Sequence, residues 1–166
     1  MGVNKIKDSG AKLKFESGAQ RDIKEDKGRC DLLPLSAVCE VLKHKDKEEV
    51  LKDVSKFIDT GNTSYIASAI RKFTKNHSDK TDCEMIIEVS KQYQQGAQKY
   101  GERNWEKGFP IHSFIDSGVR HFLMHIDGKV DEPHDRAFMW NMLGCMWTME
   151  NKPECIDIEF RNKKSG

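Results

Sequence analysis

The sequence predicts an all-α protein, a bundle of about five to six helices behind an extended N-terminal arm. Two observations predict it. From Pro34 onward, apolar residues recur at intervals of three and four, the spacing of a helix face. Prolines and glycines stand where helices open and close, with Pro34 and Pro133 at starts and Gly61, Gly101 and Gly128 at ends. Only Cys155 to Phe160 alternates with a period of two, apolar against acidic. A lone strand has no evident partner, so this segment is taken as tail.

In order, residues 1–33 form the arm, 34–150 the helical domain and 151–166 the tail. Met1 to Lys27 is rich in Lys, Asp, Gly and Ser, an arm that is mobile or ordered only by packing on a neighbour. Pro34 then suits a first helical turn, with Leu35, Val38, Val41 and Leu42 on one face. Val50, Leu51, Val54, Phe57 and Ile58 mark a second helix, ending near Gly61. Ile66, Ala69, Ile70 and Phe73 mark a third; both carry lysines on the far face, the pattern of packed surface helices. A longer helix starts near Asp82, an N-cap or first-turn acid, and runs through Ile86, Ile87, Ser90, Tyr93 and Ala97 to about Tyr100. The next carries Phe114, Ile115, Phe122, Leu123 and Ile126 and closes at Gly128. The last opens at Pro133 and carries Ala137, Met139, Met142, Leu143, Met146 and Met149; its methionines read as core rather than as a protein interface.

The totals exclude several classes. Lys and Arg number 28 against 27 Asp and Glu, so no global field draws the chain to duplex nucleic acid, and anion selectivity must be local. Five cysteines form no CxxC pair, which argues against both a disulfide framework and a structural zinc site. No apolar run nears the ~20 residues of a membrane span, and the N-terminus lacks a secretion signal. A soluble cytosolic protein is expected, without a membrane partner. A bundle this small and polar is also expected to complete its core as a homo-oligomer.

Chemistry concentrates in three places. Lys99 to Gly108 packs cations, an amide, aromatics and two glycines into ten residues. Arg103 and Asn104 offer donors to an anion or a base edge there, and Tyr100 and Trp105 offer flat surfaces. Asp116 and Arg120 stand at i, i+4, a charge-assisted pair whose bland form is a surface salt bridge of ~0.3–0.5 kcal/mol. His121 and His125 share the same spacing, which suits a metal but more often marks packing. Asp131-Glu132-Pro133-His134-Asp135 opens the last helix, placing His134 at a natural phosphate-binding end. Asn141 lies two turns on, on the same face, among apolar neighbours where its amide must find a partner. P-loop, GxSxG and HExxH motifs are absent. Glu84 and Glu88, at i, i+4, could supply half of a carboxylate metal site, with Asp116, Asp127 and Asp131 as candidates for the rest.

Taken together, Ser17 to Arg21, Lys27 to Pro34, Gly96 to Gly108, Asp116 to His121, and His134 with Trp140-Asn141 resemble a phage family, the dATP/dGTP diphosphohydrolase N-terminal-type proteins. The resemblance covers about residues 9–35 and 90–150, with 40–80 as an insertion or variable region. It implies an all-α domain that binds purine deoxynucleoside triphosphates and releases pyrophosphate with a divalent ion. The related MazG-like helical pyrophosphatases carry EExxE on one helix and ExxD on another. This chain departs from both: Glu48-Glu49 is followed by Leu51 and Lys52, and Asn141 stands where an acid is expected.

Two functions follow. In the first, Glu84, Glu88, Asp116 and Asp131 hold Mg²⁺ or Mn²⁺, with Glu88, Asp116 and Asp131 catalytic. Lys99, Arg103, Arg120 and His134 grip phosphates, Asn104 or Asn141 reads a base or sugar, and Trp105 and His121 complete the binding surface. In the second, the same cationic and amide residues bind or sequester a purine nucleotide without turnover. Both require the Tyr100–Trp105 turn, the Arg120–His121 pair and the His134/Asn141 edge to line one pocket.

Overall fold

A computed structural model describes residues 12–22, 30–34, 37–38, 48–76 and 80–161. Among them are five α-helices: α1 (Glu48–Thr60), α2 (Ser64–Lys75), α3 (Asp82–Tyr100), α4 (Ile111–Ile126) and α5 (His134–Asn151). Short 3-10 turns cover Cys30–Leu32, Asn104–Lys107 and Pro153–Cys155. The fold is all-α, as the spacing of apolar residues predicts. Of the helix expected after Pro34, Leu35, Val41 and Leu42 lie outside the described residues, while Ala37 and Val38 are helical.

One element is new. Residues 12–22 form a hairpin of two antiparallel strands, β1 (Lys12–Lys14) and β2 (Gln20–Asp22), with Leu13 opposite Arg21. Gly18 turns it at φ 81, a left-handed value that a glycine adopts without penalty. Strands of three residues leave almost no periodic signal, which is why sequence spacing shows none. The hairpin is not a free arm. Ser17 Oγ donates to the Gly108 carbonyl at 2.5 Å, and Asn104 Nδ2 donates to the Gln20 carbonyl at 3.2 Å.

The core is built on α4 against α5. Two glycines let their backbones approach: a Cβ on Gly118 would meet the end of Met142, and one on Gly144 would meet the Phe114 ring at 2.5 Å. Val119, Phe122, Phe138, Met139, Met142 and Cys145 fill the space between, fully buried. The α1–α2 hairpin joins through Phe73, whose ring centroid lies 4.6 Å from that of Phe138. Across that hairpin Lys72 reaches buried Asp53 at 2.8 Å. In the tail, Ile156, Ile158 and Phe160 pack on the core without forming a strand.

Helix α3 begins on a reciprocal cap: Thr81 accepts from the Glu84 backbone N–H, and the Glu84 carboxylate accepts from the Thr81 N–H at 2.7 Å. Asp82 is thus a first-turn acid, not the cap. Met85 and Val89 face the core, whereas Ile86 and Ile87 are 57% and 61% exposed. The helical period carries the buried face through 85, 89 and 93 and leaves Ile86 and Ile87 on the other side. No helix among the described residues is long and apolar enough to cross a membrane.

Candidate functional site

The Gly101–Pro110 loop, α3, α4, the start of α5 and the tip of β2 enclose one cavity of about 880 Å³. Arg103, Asn104 and Trp105 line it from the loop, Arg120 and His121 from α4, and Asp131, His134 and Asn141 from α5 and its approach. The three groups singled out in the sequence therefore share a single concavity. Lys99 does not line it; its ammonium lies 5.2 Å from the Tyr100 ring centre.

Part of the lining is aromatic. Trp105 meets Tyr93 edge-on at 5.4 Å and Trp147 at 4.9 Å, and Trp140 lies about 6 Å from Tyr93, Phe109 and Phe114. Burial pushes the Tyr93 hydroxyl up to about 12, so it stays a neutral donor at ordinary pH. About one turn on from Tyr93 along α3, Gly96 and Ala97 are small and line the cavity. A Cβ added to Gly96 would touch nothing within 4 Å, and it is this missing side chain that leaves the cavity open.

The loop is held in a demanding shape. Arg103 takes a left-handed backbone (φ 54), which costs a non-glycine residue of order 1 kcal/mol, and its guanidinium reaches Glu106 at 3.2 Å. Gly108, at φ 95, also sits so close to Cys155 Sγ that a side chain there would collide with it. Asn104 is 6% exposed; its Nδ2 is used on the hairpin, but its Oδ1 has no hydrogen-bond partner among the described residues. A buried acceptor left this way usually costs ~1–3 kcal/mol until something donates to it.

Asn141 has a different fate. Its Nδ2 donates to the Ala137 carbonyl at 2.7 Å and its Oδ1 accepts from Arg21 at 2.9 Å. The partner that its apolar neighbours demanded is thus inside the protein. Arg21 also donates to the Ser113 carbonyl and lies over the Phe109, Phe114 and Trp140 rings at 5.3–5.9 Å.

A second part of the lining is imidazole and carboxylate. His121 Nδ1 and His134 Nδ1 face each other across 3.0 Å, with Glu132 Oε1 4.0 and 3.9 Å away. His134 Nε2 contacts Asp131 Oδ1 at 2.9 Å. Thus His121 faces His134 rather than His125, whose ring packs on Phe73. Spacing within one helix cannot reveal a partner that arrives from the next.

The four acids expected to hold Mg²⁺ or Mn²⁺ do not meet. Glu84 caps α3, and Glu88 pairs with Lys91 on the outside of the same helix. Asp116 is fully buried and accepts from the Cys30 backbone N–H and from Arg120, both at 2.6 Å. It ties the Cys30–Leu32 turn to α4, and the Asp116–Arg120 pair is an interior one rather than a surface bridge. Only Asp131 of the four lines the cavity. A cage of hard carboxylate oxygens therefore does not fit this arrangement.

Sequence reasoning also passed over Arg21, Tyr93, Phe109 and Glu132 as cavity residues. Tyr93 carried a signal, standing one turn before Ala97 and near Gly96 on a face too small to be core. Arg21 lies in the Ser17 to Arg21 stretch that carries the family resemblance, but nothing in its spacing gives its partner, because a hairpin brings it 120 residues across the chain to Asn141.

A helical bundle with a cavity that is part aromatic and part imidazole, guanidinium and carboxylate defines the class of architecture. The model of the family described as dATP/dGTP diphosphohydrolase, N-terminal, matches residues 67–158, more than half of the chain and all of α3 to α5. The chain belongs to this family. No curated protein and no solved structure matches it.

Proposed function

We propose that the cavity binds a purine deoxynucleoside triphosphate and that the chain hydrolyses it with release of pyrophosphate. The observation that carries this reading is that stacking surfaces and phosphate-type donors share one cavity along α5. Trp140 lies about 9 Å along the helix from His134 at 1.5 Å per residue, a span comparable to that between a nucleobase and its β-phosphate. In this reading the base lies against Trp105, Tyr93 and Trp140, where stacking is worth ~1–3 kcal/mol. The unpaired Oδ1 of Asn104 accepts from a purine N–H. Arg120, which also donates to Asp116, faces the phosphates together with His121 and His134. The family's description supports the triphosphate and the pyrophosphate leaving group.

Release of pyrophosphate from dATP and dGTP, followed alongside the pyrimidine triphosphates with Mg²⁺, Mn²⁺ and Zn²⁺ in turn, tests it. Purine-selective turnover that falls at least tenfold in Asn104→Ala is expected. Absence of turnover under every metal rejects hydrolysis, and absence of any purine-dependent shift in melting temperature rejects the site itself. A second reading, binding without turnover, is favoured by the dispersal of Glu84, Glu88 and Asp116. Calorimetry that recovers tightly bound dGTP intact selects it.

A further inference from the structure

We propose that His121, Glu132 and His134 form a binding site for one divalent transition-metal ion at the wall of the cavity. Their ligand atoms, two Nδ1 and one carboxylate oxygen, converge within 4.8 Å of one another. Two imidazole nitrogens bound to one ion at about 2.0–2.1 Å lie roughly 3–3.4 Å apart, and these lie 3.0 Å apart. The Glu132 oxygen, at 3.9–4.0 Å, needs to close by roughly half an ångström to join them. Glu132 stands in the connection between α4 and α5 with its side chain 20% exposed, so a small torsion supplies the movement.

The surroundings match a metal site as well as the ligands do. Histidines that bind metals commonly give their other ring nitrogen to a carboxylate, which fixes the tautomer. Asp131 takes that position on His134 Nε2, and Nδ1 is the ring atom that faces His121. The two histidines ride on helices locked together by the close approaches at Gly118 and Gly144, so their separation is set by the core. Two imidazoles and one carboxylate suit Zn²⁺, Mn²⁺ or Co²⁺ rather than Mg²⁺, and three protein ligands leave a position open to the cavity.

The site stands on its own geometry; only its service to phosphates rests on the nucleotide reading. The test is therefore made without nucleotide. Chelator-treated full-length protein is titrated with Co²⁺ by absorption and with Mn²⁺ and Mg²⁺ by calorimetry. One Co²⁺ per chain is expected, with a d–d spectrum lacking the thiolate charge-transfer band that the cysteines would give. Affinity should fall at least 100-fold in His121→Ala, about tenfold or more in Glu132→Gln, and 10–100-fold in Asp131→Ala. Mn²⁺ should bind more tightly than Mg²⁺. Retained affinity in both His121→Ala and Glu132→Gln, a thiolate spectrum, or no stoichiometric binding overturns the site. Metal binding in a protein inert to nucleotides would reject the nucleotide reading and leave the metal site standing.

Discussion

Arg21 donates across 2.9 Å to Asn141, joining the N-terminal hairpin to the middle of the last helix. The same guanidinium donates to the Ser113 carbonyl. In Arg21→Ala, Asn141 Oδ1 keeps its burial and loses its donor, a loss of about 1–3 kcal/mol. Lysine should not restore it, because one ammonium does not reproduce the planar fork that spans both acceptors. Urea unfolding of Arg21→Ala and Arg21→Lys measures this; wild-type stability in either variant would show that the hairpin is not held by that contact.

Asp116 is expected to act as a buried tie, not as a metal ligand. Removing one member of a buried ion pair strands the other charge and costs about 3–5 kcal/mol. Asp116→Ala should therefore lose several kcal/mol whether or not metal is present. Asp116→Asn keeps an acceptor for the Cys30 N–H and should lose less. A carboxylate serving as a ligand would give the opposite pattern, with the fold intact and metal affinity abolished.

Much of this arrangement was legible before any coordinates. Helices α3, α4 and α5 announce themselves because Gly101, Gly128 and Pro133 mark where they close and open, and the polar clusters between them fall on the cavity. What could not be read is which way each group faces. The i, i+4 spacing of Asp116 and Arg120 is the same on a wet surface as in a core, and only the arrival of Cys30 over α4 makes it interior. His121 had a neighbour in sequence at His125 and found its true one 13 residues on. Glu84 looked like a ligand because a capping carboxylate and a metal-binding one are the same side chain.

Alkaline stability should reveal Tyr93 and Lys72. Burial raises the Tyr93 hydroxyl, and Lys72 is raised chiefly by its hydrogen bond to Asp53. Both groups hold their proton more tightly folded than unfolded. Their contribution is complete below about pH 10 and is lost as pH rises through the folded values, since the unfolded chain then ionises first. For Tyr93 the loss is on the order of 2 kcal/mol between pH 10 and 12. Melting temperatures from pH 8 to 12 should fall steeply in the wild type and less steeply in Tyr93→Phe. Parallel curves would remove Tyr93 from the account.

Arg103→Gly separates backbone strain from charge. Glycine adopts φ 54 freely, which should return about 1 kcal/mol, while the exposed pair with Glu106 contributes at most about that much. Stability is expected to hold or rise slightly. If the guanidinium faces a triphosphate, dGTP affinity should fall severalfold and lose part of its salt dependence. Unchanged affinity would place Arg103 outside the binding surface.

Gly96 offers the cleanest separation of fold from site. A glycine inside a helix costs about 1 kcal/mol relative to alanine, and Leu is nearly as good a helix former. At this position a Cβ meets nothing, because the space beyond it is the cavity. Gly96→Leu should therefore raise stability by up to about 1 kcal/mol and still abolish nucleotide binding, by filling the place a ligand would take. A merely structural cavity predicts the gain without any loss, and a helix face that packs on something else predicts a destabilised protein. Urea unfolding beside dGTP calorimetry on the same variant distinguishes all three, and a stable Gly96→Leu protein that still binds dGTP would place the nucleotide elsewhere.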